Sequence, residues 1–287
     1  MRKTGTPEDA PFKLHSFGYR GASSEESAGI GGAAELLTSM GTDTVAGILT
    51  AQEYYNTENM LGFSINAAEH STITAWGKEF EKDAYENMLN QFLKPGGIVA
   101  VVSDSYDLSN AILNIWGKTL KQKIVNSEGV LVIRPDSGEP SEVVLRSLEQ
   151  LGSCFGYTLN CKGFKILPKY IRLIQGDGLN CAQDIEKILV TITEAGWSAD
   201  NLAFGMGGGS IQQINRDTYK YAMKMSAILV DGVWRDVYKQ PADCPWKVSK
   251  KGRFDYLNLP LVWKNGKFFR EYSFEEVRAN AMQELVF

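Results

Sequence analysis

The chain has 287 residues, 44% of them hydrophobic and 22% charged, enough for one large domain or two ordinary ones around a sizeable core. Its formal net charge of −4 gives no general attraction to nucleic acid, and no run approaches the roughly 18 uninterrupted apolar residues of a membrane span. The four cysteines, at 154, 161, 181 and 244, make no Cys-x-x-Cys pair, and with only two histidines they exclude a conventional structural zinc site.

Reduced thiols in a cytoplasmic protein are therefore expected. The opening residues Met1 to Pro7 have no apolar stretch behind them, so no signal peptide is expected. Ser23-Ser24-Glu25-Glu26 reads as a capping box opening a helix that runs to about Leu37. Ser71 to Phe92 is the longest helical stretch. Ile98 to Val102 reads as a strand buried on both faces. The alternation then repeats: helix from Asp107 to Leu120, strand from Val130 to Ile133, helix from Pro140 to Leu151, strand from Ile171 to Ile174, helix from Ala182 to Ala195, and strand from Asn201 to Phe204. After about Arg216 the pattern changes. Tyr219 to Val230 is a long β-like run without a helical partner, Leu261 to Phe269 reads as a hairpin on an Asn-Gly turn, and Glu275 to Leu285 as a terminal helix. The expected division is a β/α domain over residues 11–216 and part of a smaller β-rich domain over 217–287.

Strands alternating with helices imply parallel pairing through right-handed crossovers. An open doubly wound sheet and a closed barrel both satisfy that pattern. Asp43, His70, Asp104, Asp136, Asp177 and the Gly207 loop recur at intervals of 27 to 41 residues. Polar groups at many strand ends converge on one mouth only in a barrel, which favours an α/β fold of TIM-like β/α-barrel type, with an incomplete antiparallel-sheet region at the C-terminus.

Several segments carry possible chemistry. In Arg134-Pro135-Asp136-Ser137-Gly138 an arginine offers a fixed fork to a phosphate, and the aspartate beside it can hold ribose hydroxyls or a Mg²⁺ ion. The same residues make an ordinary turn. Gly205-Met206-Gly207-Gly208-Gly209 can aim backbone N–H groups at an anion, with Arg216 beyond it; no Gly-Lys-Ser/Thr pattern marks a P-loop, and a plain strand-to-helix connection is the alternative. His70, beside Glu69, can exchange protons or accept a phosphoryl group, while Ser71 and Thr72 can simply cap a helix. Asp43, Asp104 and Asp177 each serve equally as helix caps, but several carboxylates at one mouth repel one another unless a metal, an arginine or a polyhydroxylated ligand offsets them.

Taken in order, His15-Ser16-Phe17-Gly18-Tyr19-Arg20-Gly21, Gly41-Thr42-Asp43-Thr44, Ala68-Glu69-His70-Ser71-Thr72, Ser103-Asp104-Ser105-Tyr106-Asp107, Arg134-Pro135-Asp136-Ser137-Gly138, Gln175-Gly176-Asp177-Gly178 and Ser249-Lys250-Lys251-Gly252-Arg253 resemble the nicotinamide phosphoribosyltransferases, of the type II pyridine phosphoribosyltransferase family. The resemblance runs from about residue 11 to the end. It implies formation of nicotinamide mononucleotide and pyrophosphate from nicotinamide and phosphoribosyl pyrophosphate, with Mg²⁺ as cofactor and ATP as co-substrate. Phe17 would stack on the nicotinamide ring, and Asp43 would accept a hydrogen bond from its carboxamide. His70 would be phosphorylated by ATP. Arg20, Arg134, Asp136, Gly207, Gly208 and Arg216 would hold the ribose and phosphate, with Ser64 and Gly176 also at the substrate. Asp104 and Asp177 would support the pyrophosphate, Mg²⁺ and His70, with either one a possible Mg²⁺ contact. Lys250, Lys251 and Arg253 would lie near the nucleotide phosphates. No protein nucleophile attacks the sugar.

An ionised Asp43 would repel the carboxylate of nicotinate, which favours the amide. The sequence departs from the family at Ser16, where an aspartate is common, at Met206, where a serine is common, in a shortened tail and in lacking the family's N-terminal segment, which supplies an aromatic from the partner of a dimer. A homodimer or a complementing N-terminal chain is therefore expected, with poor activity for this chain alone. A nicotinate enzyme, a split-enzyme subunit and a truncated non-catalytic protein are the alternatives.

Overall fold

The computed structural model describes residues 1–213, 224–238, 240, 248–254 and 263–284. By contacts the chain divides into two units, Met1–Gln213 with Ser273–Phe287, and Ile214–Tyr272.

The first unit is built on seven parallel strands: β1 (Leu14–Ser16), β2 (Gly41–Thr42), β3 (Asn66–Ala67), β4 (Ile98–Val102), β5 (Val130–Arg134), and, after a small antiparallel pair β6 (Thr158–Leu159) and β7 (Lys165–Ile166), β8 (Ile171–Gln175) and β9 (Leu202–Met206). Their order in the sheet is β2-β1-β9-β8-β5-β4-β3. The long strands are runs of β-branched and aliphatic residues, and Val99 to Val102 and Leu131 to Ile133 are buried, as strands covered on both faces require. The sheet curls. A single parallel bridge, Gly41 to Phe63, joins edge strand β2 to the segment just ahead of β3, with hydrogen bonds from Phe63 N to Met40 O (2.7 Å) and from Thr42 N to Phe63 O (2.9 Å). This is an α/β fold with a curled parallel sheet whose edges meet at one bridge, short of a fully closed ladder.

Helices cover the sheet: α1 (Glu25–Glu35), α2 (Val45–Tyr54), α3 (His70–Thr74), α4 (Glu81–Phe92), α5 (Leu108–Asn110), α6 (Lys121–Val125), α7 (Pro140–Phe155), α8 (Ala182–Glu194) and α9 (Phe274–Glu284). In α7 the Glu139 side chain caps the Glu142 N–H, Pro140 occupies the first turn, and Val144, Leu148, Leu151 and Phe155 form the buried stripe. No helix among the described residues is long and apolar enough to cross a membrane.

Four expectations are corrected. The cap of α1 is Ser24, whose hydroxyl accepts from Ser27 N; the residue three beyond it is a serine, so the reciprocal carboxylate of a capping box is missing. The stretch from Ser71 to Phe92 is two helices, because Gly77 adopts φ +84°, outside the helical region. Between α5 and α6, Ala111–Thr119 is a π-helix, which sequence periodicity does not distinguish from an α-helix. Helix α2 was not foreseen, since its Val-Ala-Gly-Ile-Leu opening has no clear polar face.

The second unit contains two antiparallel pairs, β10 (Ala227–Val230) with β11 (Val233–Asp236), and β12 (Trp263–Lys264) with β13 (Lys267–Phe268) across Asn265-Gly266. The expected hairpin is present. The part of the β-like run from Tyr219 to Met223 lies outside the described residues. Terminal helix α9 groups with the first unit: Phe274 is fully buried against Leu36, Ala51 and Leu61, and its ring meets Tyr55 edge-on at 5.1 Å.

Candidate active site

A parallel sheet brings all its strand carboxyl ends to one side. Asp104, Asp136 and Asp177 each sit two residues past β4, β5 and β8, and Phe17 directly follows β1. A cavity of about 300 Å³ opens there. Its walls include Phe17, Arg20, Asp43, Ser64, Arg134, Asp136 and Gly176.

The placement of Phe17 depends on what lies beneath it. Its backbone N–H donates to Met206 O (2.7 Å), and the ring lies on the Cα of Gly205, where a Cβ would come within 2.0 Å of Phe17 Cε2. Only glycine leaves room for the ring. Elsewhere in the cavity lining, Ser64 Oγ donates to Asp43 Oδ1, while Asp43 N donates to Ser16 O (2.9 Å). One carboxylate oxygen of Asp43 is thus taken, and the other is left to accept from a ligand.

His70 stands at the start of α3 between two carboxylates. Its Nε2 lies 3.3 Å from Asp104 Oδ1, and its Nδ1 lies 3.8 Å from Asp136 Oδ2. Asp104 is held in turn: its Oδ2 accepts from Asp136 N (2.9 Å) and Ser137 Oγ (2.5 Å). Asp136 Oδ1 is 3.6 Å from Arg134 Nε, which makes no hydrogen bond of its own although buried. Burial pushes the Asp136 carboxyl above the usual range; Arg134 and His70 oppose that, and the charges of Asp104 and Asp177 add to it. Loss of hydration is thus the main cause, and repulsion among the carboxylates at this mouth is a smaller addition.

Gly176 sits flush against Asp136, Arg134 and Phe17, and Asp177 is exposed just beyond it. The turn at Gly207 and Gly208 packs on Gly18 and Gly21, beside Phe17 and Arg20, although neither glycine lines the cavity itself. His70, Asp104 and Asp177 also stand outside the cavity wall, linked to it through Asp136. Arg216 lies outside the described residues. Lys250, Lys251 and Arg253 belong to the second unit, where Lys251 Nζ lies 4.9 Å from the centre of the Tyr238 ring and the Arg253 guanidinium 4.5 Å from that of Trp234.

Sequence reasoning assigned no role to His15, Tyr19, Ile65 or Glu69, which also line the cavity. His15 is one of only two histidines, and that rarity was a usable signal. Burial pushes its imidazole below the usual range, with the Phe12 carbonyl and Asp43 opposing. Ile65 was not legible, because nothing local separates a cavity wall from a core residue.

Among the described residues no three His, Cys, Asp or Glu side chains converge as a metal cage. Both oxygens of Asp104 are engaged within the protein, whereas Asp177 is open to solvent. An aromatic ring, a carboxylate with one oxygen not bonded to Ser64, and an arginine-aspartate pair close to a glycine turn are thus gathered at one rim. The chain belongs to the nicotinate phosphoribosyltransferase family, whose model matches residues 12–277. Among curated relatives it is 49% identical over 307 residues to the nicotinamide phosphoribosyltransferase of Xanthomonas campestris pv. campestris, covering 98% of this chain and 65% of that protein. It is 34% identical to the enzyme of that name from Mycoplasma pneumoniae, covering 88% of this chain and 55% of that protein, and 30% identical to that of Acinetobacter baylyi, covering 99% and 64%. The chain thus spans between about half and two thirds of the length of these relatives.

Proposed function

We propose that this chain carries the catalytic centre of a nicotinamide phosphoribosyltransferase, on a sheet of TIM-like barrel type, acting in pyridine nucleotide supply. The observation that carries the reading is the single cavity joining Phe17, Asp43, Arg134, Asp136 and Gly176, with His70 one contact away. Phe17 stacks on the pyridine ring. The free oxygen of Asp43 accepts from the carboxamide NH₂ and turns the ring nitrogen toward the sugar. Arg20 and Arg134, with the Gly207-Gly208 turn, hold the phosphates. The ring nitrogen attacks C1 of the ribose as the C1–oxygen bond to pyrophosphate breaks, and positive charge develops on the sugar ring beside Asp136.

A Mg²⁺ ion would be carried chiefly by the pyrophosphate oxygens, with Asp177 as the open carboxylate facing it. When bound, it neutralises the leaving group. Asp104 accepts a hydrogen bond from His70 Nε2–H, which leaves the Nδ1 lone pair as nucleophile. In phosphorylation by ATP, Nδ1 forms a bond to the γ-phosphorus, the bond from that phosphorus to the bridging oxygen breaks, and ADP departs. Phe17 offers one face to the ring, so a second copy or a complementing chain supplies the other.

The test is a product assay with nicotinamide and nicotinate in competition, with and without ATP. Nicotinamide mononucleotide is expected as the dominant product, accompanied by an acid-labile phosphate on the protein that His70→Ala removes. Nicotinate mononucleotide as the main product would overturn the substrate assignment.

A further inference from the structure

Glu35, the last residue of α1, stands apart from the machinery described so far. Both of its carboxylate oxygens are shut off from solvent, and neither has a hydrogen-bond partner. A buried carboxylate without a partner is costly, so its presence calls for a physical consequence. The groups that face it are the hydroxyls of Ser16 and Ser210. Ser16 ends β1 immediately before Phe17, with its hydroxyl 2.8 Å from Thr44 Oγ1. Ser210 closes the glycine turn, with its hydroxyl donating to Gly207 O (3.4 Å). Glu35 therefore neighbours the glycine turn through Ser210, and it does not line the ligand cavity.

Among the described residues no charged side chain offsets it. His15, the titratable residue of β1, lines the cavity instead. The turn over residues 207–213 contains no charged residue. Asp43, ahead of α2, is bonded to Ser64, and Glu53 is at the opposite end of α2. Arg278 of α9 donates to the carbonyls of Leu36 and Leu61 and is paired electrostatically with Glu275. On Glu35's own helix, Glu25 and Glu26 lie in the first turn. Burial is the dominant influence and holds the Glu35 carboxyl above the usual range, with the two serine hydroxyls opposing.

We propose that Glu35 is a positioning residue for the phosphate-holding turn, which binds an anion in the proton-bearing form of Glu35 and loses affinity when that proton leaves. The physical link is electrostatic: a bare charge in a low-dielectric layer next to the turn repels a phosphate held by it. By linkage, a bound phosphate must then hold the proton on Glu35 more tightly. The proposal rests on the reading of the Gly207-Gly208 turn given above.

The experiment measures binding of inorganic pyrophosphate and of nicotinamide mononucleotide to the full chain and to Glu35→Gln, from about pH 5 to about pH 8, as the ratio of the two affinities at each pH so that ligand ionisation cancels. The wild-type affinity should fall relative to Glu35→Gln as pH rises, by at most about tenfold per pH unit for one proton. Ser210→Ala removes a hydroxyl that favours the charged form, so its fall should move to higher pH. Carbon-13 titration of the Glu35 carboxyl in the wild-type chain should show the same midpoint and an upward shift with pyrophosphate, which keeps the test independent of how well the variants fold. A ratio that does not change with pH, with ligands still bound, overturns the role of Glu35 and leaves the proposed function standing. Failure of either ligand to bind at any pH overturns both.

Discussion

At the scale of single residues, the proposed function makes Asp43 the group that decides which pyridine fits. Its Oδ1 is already satisfied by Ser64, so the remaining oxygen is an acceptor and nothing else. A carboxamide NH₂ meets it well; a carboxylate meets it with repulsion. Asp43→Asn should lower kcat/KM for nicotinamide by about tenfold to a hundredfold while improving the relative rate with nicotinate. Rates measured with each substrate in turn check this, and an unchanged ratio would show that Asp43 does not read the substituent. Asp43 and His70 were legible as candidates through the motifs that carry the family resemblance, and Asp104 and Asp177 because a polar residue directly after an apolar strand is conspicuous. Arg134 and Asp136 were legible for the same reason, but their ion pair at 3.6 Å and the position of His70 between Asp104 and Asp136 were not. Those depend on which strands are neighbours, and β5 beside both β4 and β8 is a property of the sheet.

At the scale of elements, Gly205 on β9 shows how a strand far along the chain sets a ligand surface near its start. Gly205→Ala would place a methyl in the volume of the Phe17 ring, costing about 1–3 kcal/mol and tilting the ring off its platform. Ligand affinity should drop while far-UV circular dichroism stays unchanged. Retained affinity with an unaltered fold would show that Phe17 does not need this seat. Helix α9 gives a second case. Phe274 anchors it in the cluster of Leu36, Ala51 and Leu61, so Phe274→Ala should cost about 3–5 kcal/mol, read from urea unfolding. A loss below about 1 kcal/mol would mean that the helix contributes little to the first unit. Sequence pattern foresaw the helix and its length closely but grouped it with the tail, because periodicity shows an apolar stripe and not what the stripe packs on.

At the scale of the whole molecule, carboxyl groups shifted by burial or by hydrogen bonding contribute to the pH dependence of stability. Burial raises Asp136 above its ordinary 3.8 and Glu35 above its ordinary 4.5. Between the ordinary and the raised values the folded chain binds more protons than the unfolded chain. The stability these groups contribute is therefore full below the ordinary values and is lost as pH rises through the folded ones. Glu139 acts in the opposite sense: hydrogen bonds from Lys187, Ser141 and the Glu142 N–H hold it down to about 2, so its contribution is lost as pH falls toward that value. Urea midpoints taken from about pH 4 to about pH 7 should decline less with rising pH in Glu35→Gln than in the wild-type chain. Parallel curves would show that Glu35 keeps the same proton affinity on unfolding.

The sequence by itself determined the alternation of strand and helix, the carboxylates and glycines at strand ends, and the family, because side-chain periodicity and local turn chemistry are written along the chain. It determined the existence of β4, β5, β8 and β9, whose apolar runs are unmistakable, and missed the two-residue strands β2 and β3, whose pairing partners alone define them. Only the tertiary structure decided that Phe17 rests on Gly205, that His70 is shared by Asp104 and Asp136, and that the carboxylate oxygens of Glu35 are buried facing Ser16 and Ser210. Each of these is a contact between residues far apart in sequence, and such contacts arise only when the sheet curls and brings its strand ends to one rim.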